Sequence, residues 1–500
     1  MAYPNVLYTS NQRKNTSYVS TLCNDLRLAE LFPILCAHPE LGGACFPADI
    51  AARHEVFCAL AADETLVAEL TVLRDEMEEI CRLHRLMTAA HCEEERTVMF
   101  FLLHRRLWHW TGEAAKCRMQ GTFFDAFVRL FSDLTASEDY AAMKRDLEML
   151  DTATAPLFRY SLKLTGKTRD TGSRVTLSAA VPETFSERLS RCAEQLGIGL
   201  SEEKSVCDPD PFQIAGLLSL YPEVLQTLRA FAVRYGDFFD DSVYSYADQL
   251  SFYLQAYALT CRLAACGIPA VLPHITQPDA DGAAVLSLRE AYDISLLTRG
   301  VTEIVPNDVT LNEADPFYFV VGANGGGKTT FLRAVGICAY FAMLGVPVPC
   351  REATLCELGG VVSHFPADER FAADGRFADE ERRVELMLSA VTGRALVLLN
   401  ETFSTTTDEK ASAKTEALAH RIRESGNFGL YVTHQHAAAS SDFPSLCAEV
   451  VSDDCHSRTF KIHRSSEVTG SFAQDILRKY CLTEDDLLRR FAGDGKGKEV

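Results

Sequence analysis

The chain has 500 residues, 47% of them hydrophobic, and a formal net charge of −20. That apolar content supports about two to four domains with their own cores and excludes disorder as the bulk state. A chain this acidic grips nucleic acid poorly unless its basic residues are concentrated locally, because phosphate contacts need a positive face.

The 17 cysteines are scattered without CxxC spacing and signal neither a zinc ribbon nor a redox pair. Cys58, Cys261, Cys266 and Cys338 stand in apolar helical runs and read as buried free thiols of a reducing cytosol. The segment MAYPNVLYTSNQRKN lacks the charged-then-apolar order of a secretory signal. The longest apolar run, Ala334 to Cys350, contains Gly and Pro, so a membrane span is not expected and the chain is assigned to the cytoplasm.

From about residue 20 to 265, helical periodicity dominates. The stretch from Asp63 onward places apolar residues three and four apart with charges between them, and Phe239 to Cys266 runs free of Gly and Pro. The basic clusters His104-Arg105-Arg106 and Arg82-Leu83-His84-Arg85 read as solvated helix faces. Phe158 to Val181 differs: short β-prone runs flank a Gly/Thr/Asp turn, the pattern of a hairpin. At about Gly267 the pattern changes to alternation, with PAVLP, FYFVV, ALVLLN and FGLYVT as strands and 408 to 424 among the helices. This predicts a mostly parallel sheet with helices on its faces. The expected organisation is a helical region at 1–120, a helical core or lever at 121–266 with the hairpin, an α/β domain at 267–482 and a tail at 483–500.

After FYFVV comes GANGGGKTTFLR, where Gly322 to Thr329 fits G-x-x-x-x-G-K-[ST] between a strand and a helix. The backbone N–H groups of Gly322, Ala323, Asn324, Gly325, Gly326 and Gly327 are expected to wrap phosphates, aided by the helix N-terminus. Lys328 is expected on the β- and γ-phosphates, the Thr329 hydroxyl on Mg²⁺, and Thr330 beside them. Downstream, LVLLNETFSTTTDE runs a buried strand into an acidic, hydroxyl-rich loop. Glu401 stands where a base would orient water, and Asn400 where a metal-holding Asp is usual. An Asn offers a carbonyl dipole without the charge, so it predicts weak or water-mediated Mg²⁺ retention and slow turnover. His434 follows a third strand at the carboxyl edge of the sheet, where ligands of open α/β sheets bind and where a histidine senses the γ-phosphate.

The combination of VPNDV, GANGGGKTTFLR, LGVPVPC, LVLLNETFSTTT and VTHQ resembles the ATPase domain of the MutS family of DNA mismatch-repair proteins. It is closest to short MutS-related bacterial proteins that carry Asn-Glu in place of Asp-Glu. The resemblance implies an α/β P-loop NTPase of the ABC/MutS type preceded by a mainly helical lever region, with ATP and Mg²⁺ as ligands. It further implies a homodimer with composite nucleotide sites, completed in trans by Gly375 to Arg383 and by Ser404 to Thr407, and Ile304 to Asn307 near the nucleoside. No Phe-x-Glu stands near the N-terminus, so direct mismatch reading is not expected, and duplex DNA or a DNA-associated protein is the expected partner. A different class of function stays open beside the ATPase: a nucleotide-gated scaffold with little hydrolysis.

Overall fold

The computed structural model describes residues 3–8, 15–154, 161–165, 174–178, 221–276, 284–322, 324–366, 376–391, 393–403, 408–433, 442–450 and 458–465. By contact the chain divides into two compact units, one of residues 1–4, 68–119 and 124–250, the other of 5–67, 120–123 and 251–500.

Among its described residues the first unit is helical apart from an antiparallel pair, β1 (Ser161–Thr165) and β2 (Arg174–Ser178). Its core is aromatic. The Trp110 ring, 1% exposed, lies 5.1 Å from that of Phe131 and stacks on Tyr246 at 5.7 Å, and its indole N–H donates to the Leu73 carbonyl at 2.8 Å. Such rings bury large areas, and the indole N–H finds the partner that burial demands. His104 is also buried, its Nδ1 bonded to the Phe100 carbonyl at 2.9 Å, and burial pushes its pKa down to about 4. The basic residues beside it are paired rather than free: Arg105 with Asp151, Arg106 with Glu76, Arg82 with Glu79.

The second unit is α/β. Its strands are β3 (His274–Thr276), β4 (Ala284–Ala291), β5 (Asn307–Asn312), β6 (Phe317–Val321), β7 (Glu352–Cys356), β8 (Gly360–His364), β9 (Ala395–Asn400), β10 (Phe428–Val432), β11 (Ser445–Val450) and β12 (Arg458–Ser465). Six of them form one sheet in the order β12-β11-β6-β10-β9-β8, parallel except for β12. The strands β6, β8, β9 and β10 are buried at every position, as strands covered on both faces are; β6, β10 and β9 up to Leu399 read as apolar runs, whereas β8 ends in Ser363 and His364. A second sheet, β3-β7-β4-β5, is mixed and was not foreseen. PAVLP, expected as a strand of the parallel sheet, makes only an isolated bridge from Val271 to Val348. Pro269 and Pro273 fix φ and remove ladder donors there, and the strand begins after them, at His274.

Residues 19–62 pack on the α/β elements. Arg53, fully buried, donates from Nη1 to the Leu344 carbonyl at 2.7 Å, a cation at the C-terminal end of helix Lys328–Leu344 where the helix dipole favours it. Arg333 on that helix donates to the Asp25 carbonyl at 3.0 Å, and Ser363 of β8 donates to the Asp25 carboxylate at 2.7 Å. The described cysteines are all free, but the expectation that they are buried fails for three of the four named: Cys58, Cys261 and Cys266 are exposed, and Cys338 is buried. Cys58 and Cys261 fall on exposed positions of their helices, and Cys266 lies in the turn after helix Tyr246–Ala265. Among the described residues no helix is long and apolar enough to cross a membrane.

Candidate nucleotide site

Strand register builds the site. In β10, Val432 pairs with both Val320 of β6 and Asn400 of β9, so the carboxyl ends of these strands lie level, with β10 between the other two. The loop after β6 and the turn after β9 therefore open on one edge, the place where open α/β sheets bind ligands.

The loop after β6 is drawn tight by glycine. Gly322 has φ 129°, and a Cβ there would meet Ala448 at 2.8 Å. Gly327, the residue before helix Lys328–Leu344, has φ 91°, and a Cβ there would stand 3.3 Å from the Phe460 ring. A side chain at Gly322 would collide with Ala448 of β11 and one at Gly327 would crowd Phe460, so the loop keeps its path only with glycine at both. Lys328 folds back over this loop, donating from Nζ to the Gly322 carbonyl at 2.8 Å while only 5% exposed. Burial pulls its pKa down to about 8, opposed by the carboxylate of Glu401 and reinforced by the positive charge of Arg458. An ammonium held this way is poised to gain from an incoming anion.

Thr329, in the first turn of the helix, donates from Oγ1 to Asn400 Oδ1 at 3.1 Å. Asn400 closes β9 and is 7% exposed. These two oxygens form a hard donor set of the kind Mg²⁺ takes, with no charge of their own. Glu401 follows in a left-handed backbone conformation, φ 49°, with its N–H donating to the Val432 carbonyl at 2.9 Å.

A cavity of about 400 Å³ joins these groups. Gly325, Gly327, Lys328, Thr329, Thr330 and Glu401 line it together with the apolar Leu296, Val301, Ile304, Val305 and Phe460 and the carboxylate of Glu303. A lining of polar and apolar groups suits a phosphorylated ligand with a planar ring. The fit is thus good for a nucleoside triphosphate with Mg²⁺: glycines where a Cβ would intrude, an ammonium, and two neutral oxygen ligands.

Of the expected site residues, Asn324, Gly325, Gly327, Lys328, Thr329, Thr330, Asn307 and Glu401 come together around this cavity, with Asn400 reached through Thr329. Asn307 spends its side chain on the protein: its amide donates to the Phe460 carbonyl at 3.1 Å and accepts from the Ile462 N–H at 2.8 Å, tying β5 to β12. Ala323, Gly375, Ser404 to Thr407 and His434 lie outside the described residues. Phe460 and Val301 were missed. Each is a single apolar residue in a mixed stretch, and only the fold carries β12 to the phosphate loop.

Comparison with known proteins agrees with this geometry. Residues 318–470 match the family described as MutS domain V. The chain is 26% identical over 207 residues to the DNA mismatch repair protein msh-2 of Neurospora crassa, covering 40% of this chain and 22% of that protein. It is 34% identical over 146 residues to the DNA mismatch repair protein MutS of Thermus thermophilus, covering 29% of this chain and 18% of the relative. The matched part thus spans only about a fifth of the length of these relatives. Residues 318–470 are thus similar to MutS domain V, and their described part has the α/β architecture of a P-loop NTPase-type domain.

Proposed function

We propose that the chain binds ATP with Mg²⁺ and hydrolyses it slowly, using nucleotide-driven closure of a homodimer to act on DNA or a DNA-associated partner. The observation that carries the reading is the convergence of Lys328, Thr329 and Glu401 on one cavity that apolar residues also line. In this reading the loop N–H groups and Lys328 hold the phosphates, and Thr329 and Asn400 hold Mg²⁺. Mg²⁺ held there by Thr329 and Asn400 would supply neutralisation of charge on the phosphate oxygens. Glu401 orients and accepts a proton from the attacking water, and the apolar lining with Phe460 receives the base. His434 is assigned the sensing role its position after β10 suggests. The domain limits 267–482 for the ATPase, with helical regions at 1–120 and 121–266, belong to the same proposal, as does completion of each site by a partner's segment 375–383.

Family likeness supports action on DNA, since the named relatives are DNA mismatch repair proteins. A second reading, a nucleotide-gated scaffold that scarcely hydrolyses, has Asn400 in its favour, because the metal ligands bonded here are both neutral. ATP turnover of the full chain with and without duplex DNA, over a range of salt, tests the reading. Stimulation by DNA that fades as salt rises supports it, and turnover indifferent to DNA removes the nucleic-acid part.

A further inference from the structure

Behind the Asn400–Glu401 pair lies a set of buried polar groups that nucleotide binding does not use. Thr402 is 2% exposed and is gripped from both neighbouring strands. His364, the last residue of β8, meets Thr402 Oγ1 through Nδ1 at 3.0 Å. Tyr431 of β10 donates its hydroxyl to the Thr402 carbonyl, and Thr415 of helix Asp408–Glu424 meets that same hydroxyl at 3.0 Å. None of Thr402, His364, Tyr431 or Thr415 lines the cavity.

The backbone explains what the grip accomplishes. Glu401 and Phe403, the residues on either side of Thr402, have φ of 49° and 67°. A left-handed conformation is costly for residues with a Cβ and persists only where the surroundings over-determine it. In a continuing strand, Glu401 would point to the face opposite Asn400, because successive side chains alternate. The turn breaks that alternation, so Asn400 reaches Thr329 while Glu401 lines the same cavity as Thr329. Burial, with the charge of Arg383, pushes the His364 pKa down to about 4, so the ring stays neutral near pH 7 and adds no charge to the site.

We propose that Thr402, clamped by His364 and Tyr431, is a positioning residue that fixes the left-handed turn and thereby aims Glu401 at the phosphate end of the cavity. The clamp sets the rate of the water-activating step and leaves nucleotide affinity alone. This rests on the ATPase reading above.

The test compares wild type with Thr402→Val, Tyr431→Phe and Thr402→Ser in three measurements: kcat for ATP with Mg²⁺, Kd for a fluorescent ATP analogue, and amide hydrogen exchange at 400–403 without nucleotide. Thr402→Val and Tyr431→Phe are expected to lower kcat about tenfold or more through misaimed geometry, with Kd within about twofold of wild type and faster exchange of the Glu401 N–H. Thr402→Ser restores the hydroxyl and is expected to recover most of the rate lost in Thr402→Val. If Thr402→Val does not fold, Tyr431→Phe, which keeps the ring, carries the same comparison. Wild-type kcat in folded Thr402→Val or Tyr431→Phe, or loss of affinity in step with rate, overturns the clamp and leaves the ATPase reading standing. Absence of turnover in wild type itself overturns both.

Discussion

Polar side chains of both units make local and long-range hydrogen bonds, Trp110 reaching the Leu73 carbonyl 37 residues away, but the cavity is built where long-range bonds join strand ends of the α/β unit. In the helical unit, His104 and Thr154 bond to the carbonyls of Phe100 and Leu150, each 4 residues back in its own helix. In the α/β unit, Thr329 bonds 71 residues away, the Asn307 amide 155 and Ser363 338. A local bond is satisfied as soon as its helix forms. A long-range bond exists only when the whole domain is assembled, so it can hold a side chain at a defined point in space. The chemistry collects where the bonds are long: at the ends of β6, β9 and β10, around one cavity.

The largest expected effect separates stability from chemistry. Trp110→Ala removes the centre of the aromatic core and the indole's bond to the Leu73 carbonyl, and is expected to cost about 3–5 kcal/mol in urea unfolding. The Kd of the surviving folded protein for ATP is expected to stay unchanged, and a weakened Kd would break the contrast between the units.

Next in size is the response of the site to pH. Burial, partly offset by Glu401, holds Lys328 at about 8 in the free protein. Phosphate favours the ammonium, so affinity is flat below about pH 8, where the proton is already present. Above it, each pH unit is expected to weaken ATP binding by about tenfold as the free lysine must first regain its proton. Titration with a fluorescent ATP analogue from pH 7 to 9.5 checks the sign, and affinity that rises with pH would contradict it.

A smaller effect is expected at the metal. Asn400→Asp adds a full charge beside Thr329 and is expected to lower the Mg²⁺ concentration for half-maximal turnover by a few fold. No change would mean that Asn400 serves only as the acceptor of the Thr329 hydroxyl.

How much of this was legible in the sequence follows the same division. The runs FYFVV, ALVLLN and FGLYV read directly as strands, because both of their faces are buried. The phosphate loop read directly because its glycines and Lys328 act within one short stretch. The mixed sheet did not. β3 has 3 residues and β7 has 5, and the pairing of β4 is interrupted by irregularities, so no clean alternation marks them. Nor does periodicity reveal that residues 19–62 pack on the α/β elements, since that depends on single contacts such as Arg53 to Leu344. The turn at Glu401 was invisible for the same reason: its supports, His364 and Tyr431, stand 38 and 29 residues from Thr402.

The central claim is that Glu401 acts on water while Lys328 holds the nucleotide. Steady-state ATP turnover and ATP affinity, measured side by side for wild type, Glu401→Gln and Lys328→Ala with Mg²⁺, test it most directly. The account predicts Mg²⁺-dependent turnover in wild type, a fall of about 10²–10⁴-fold in Glu401→Gln with affinity kept, and loss of affinity in Lys328→Ala. Tight ATP binding without turnover in wild type, or turnover in Glu401→Gln equal to wild type, would contradict it.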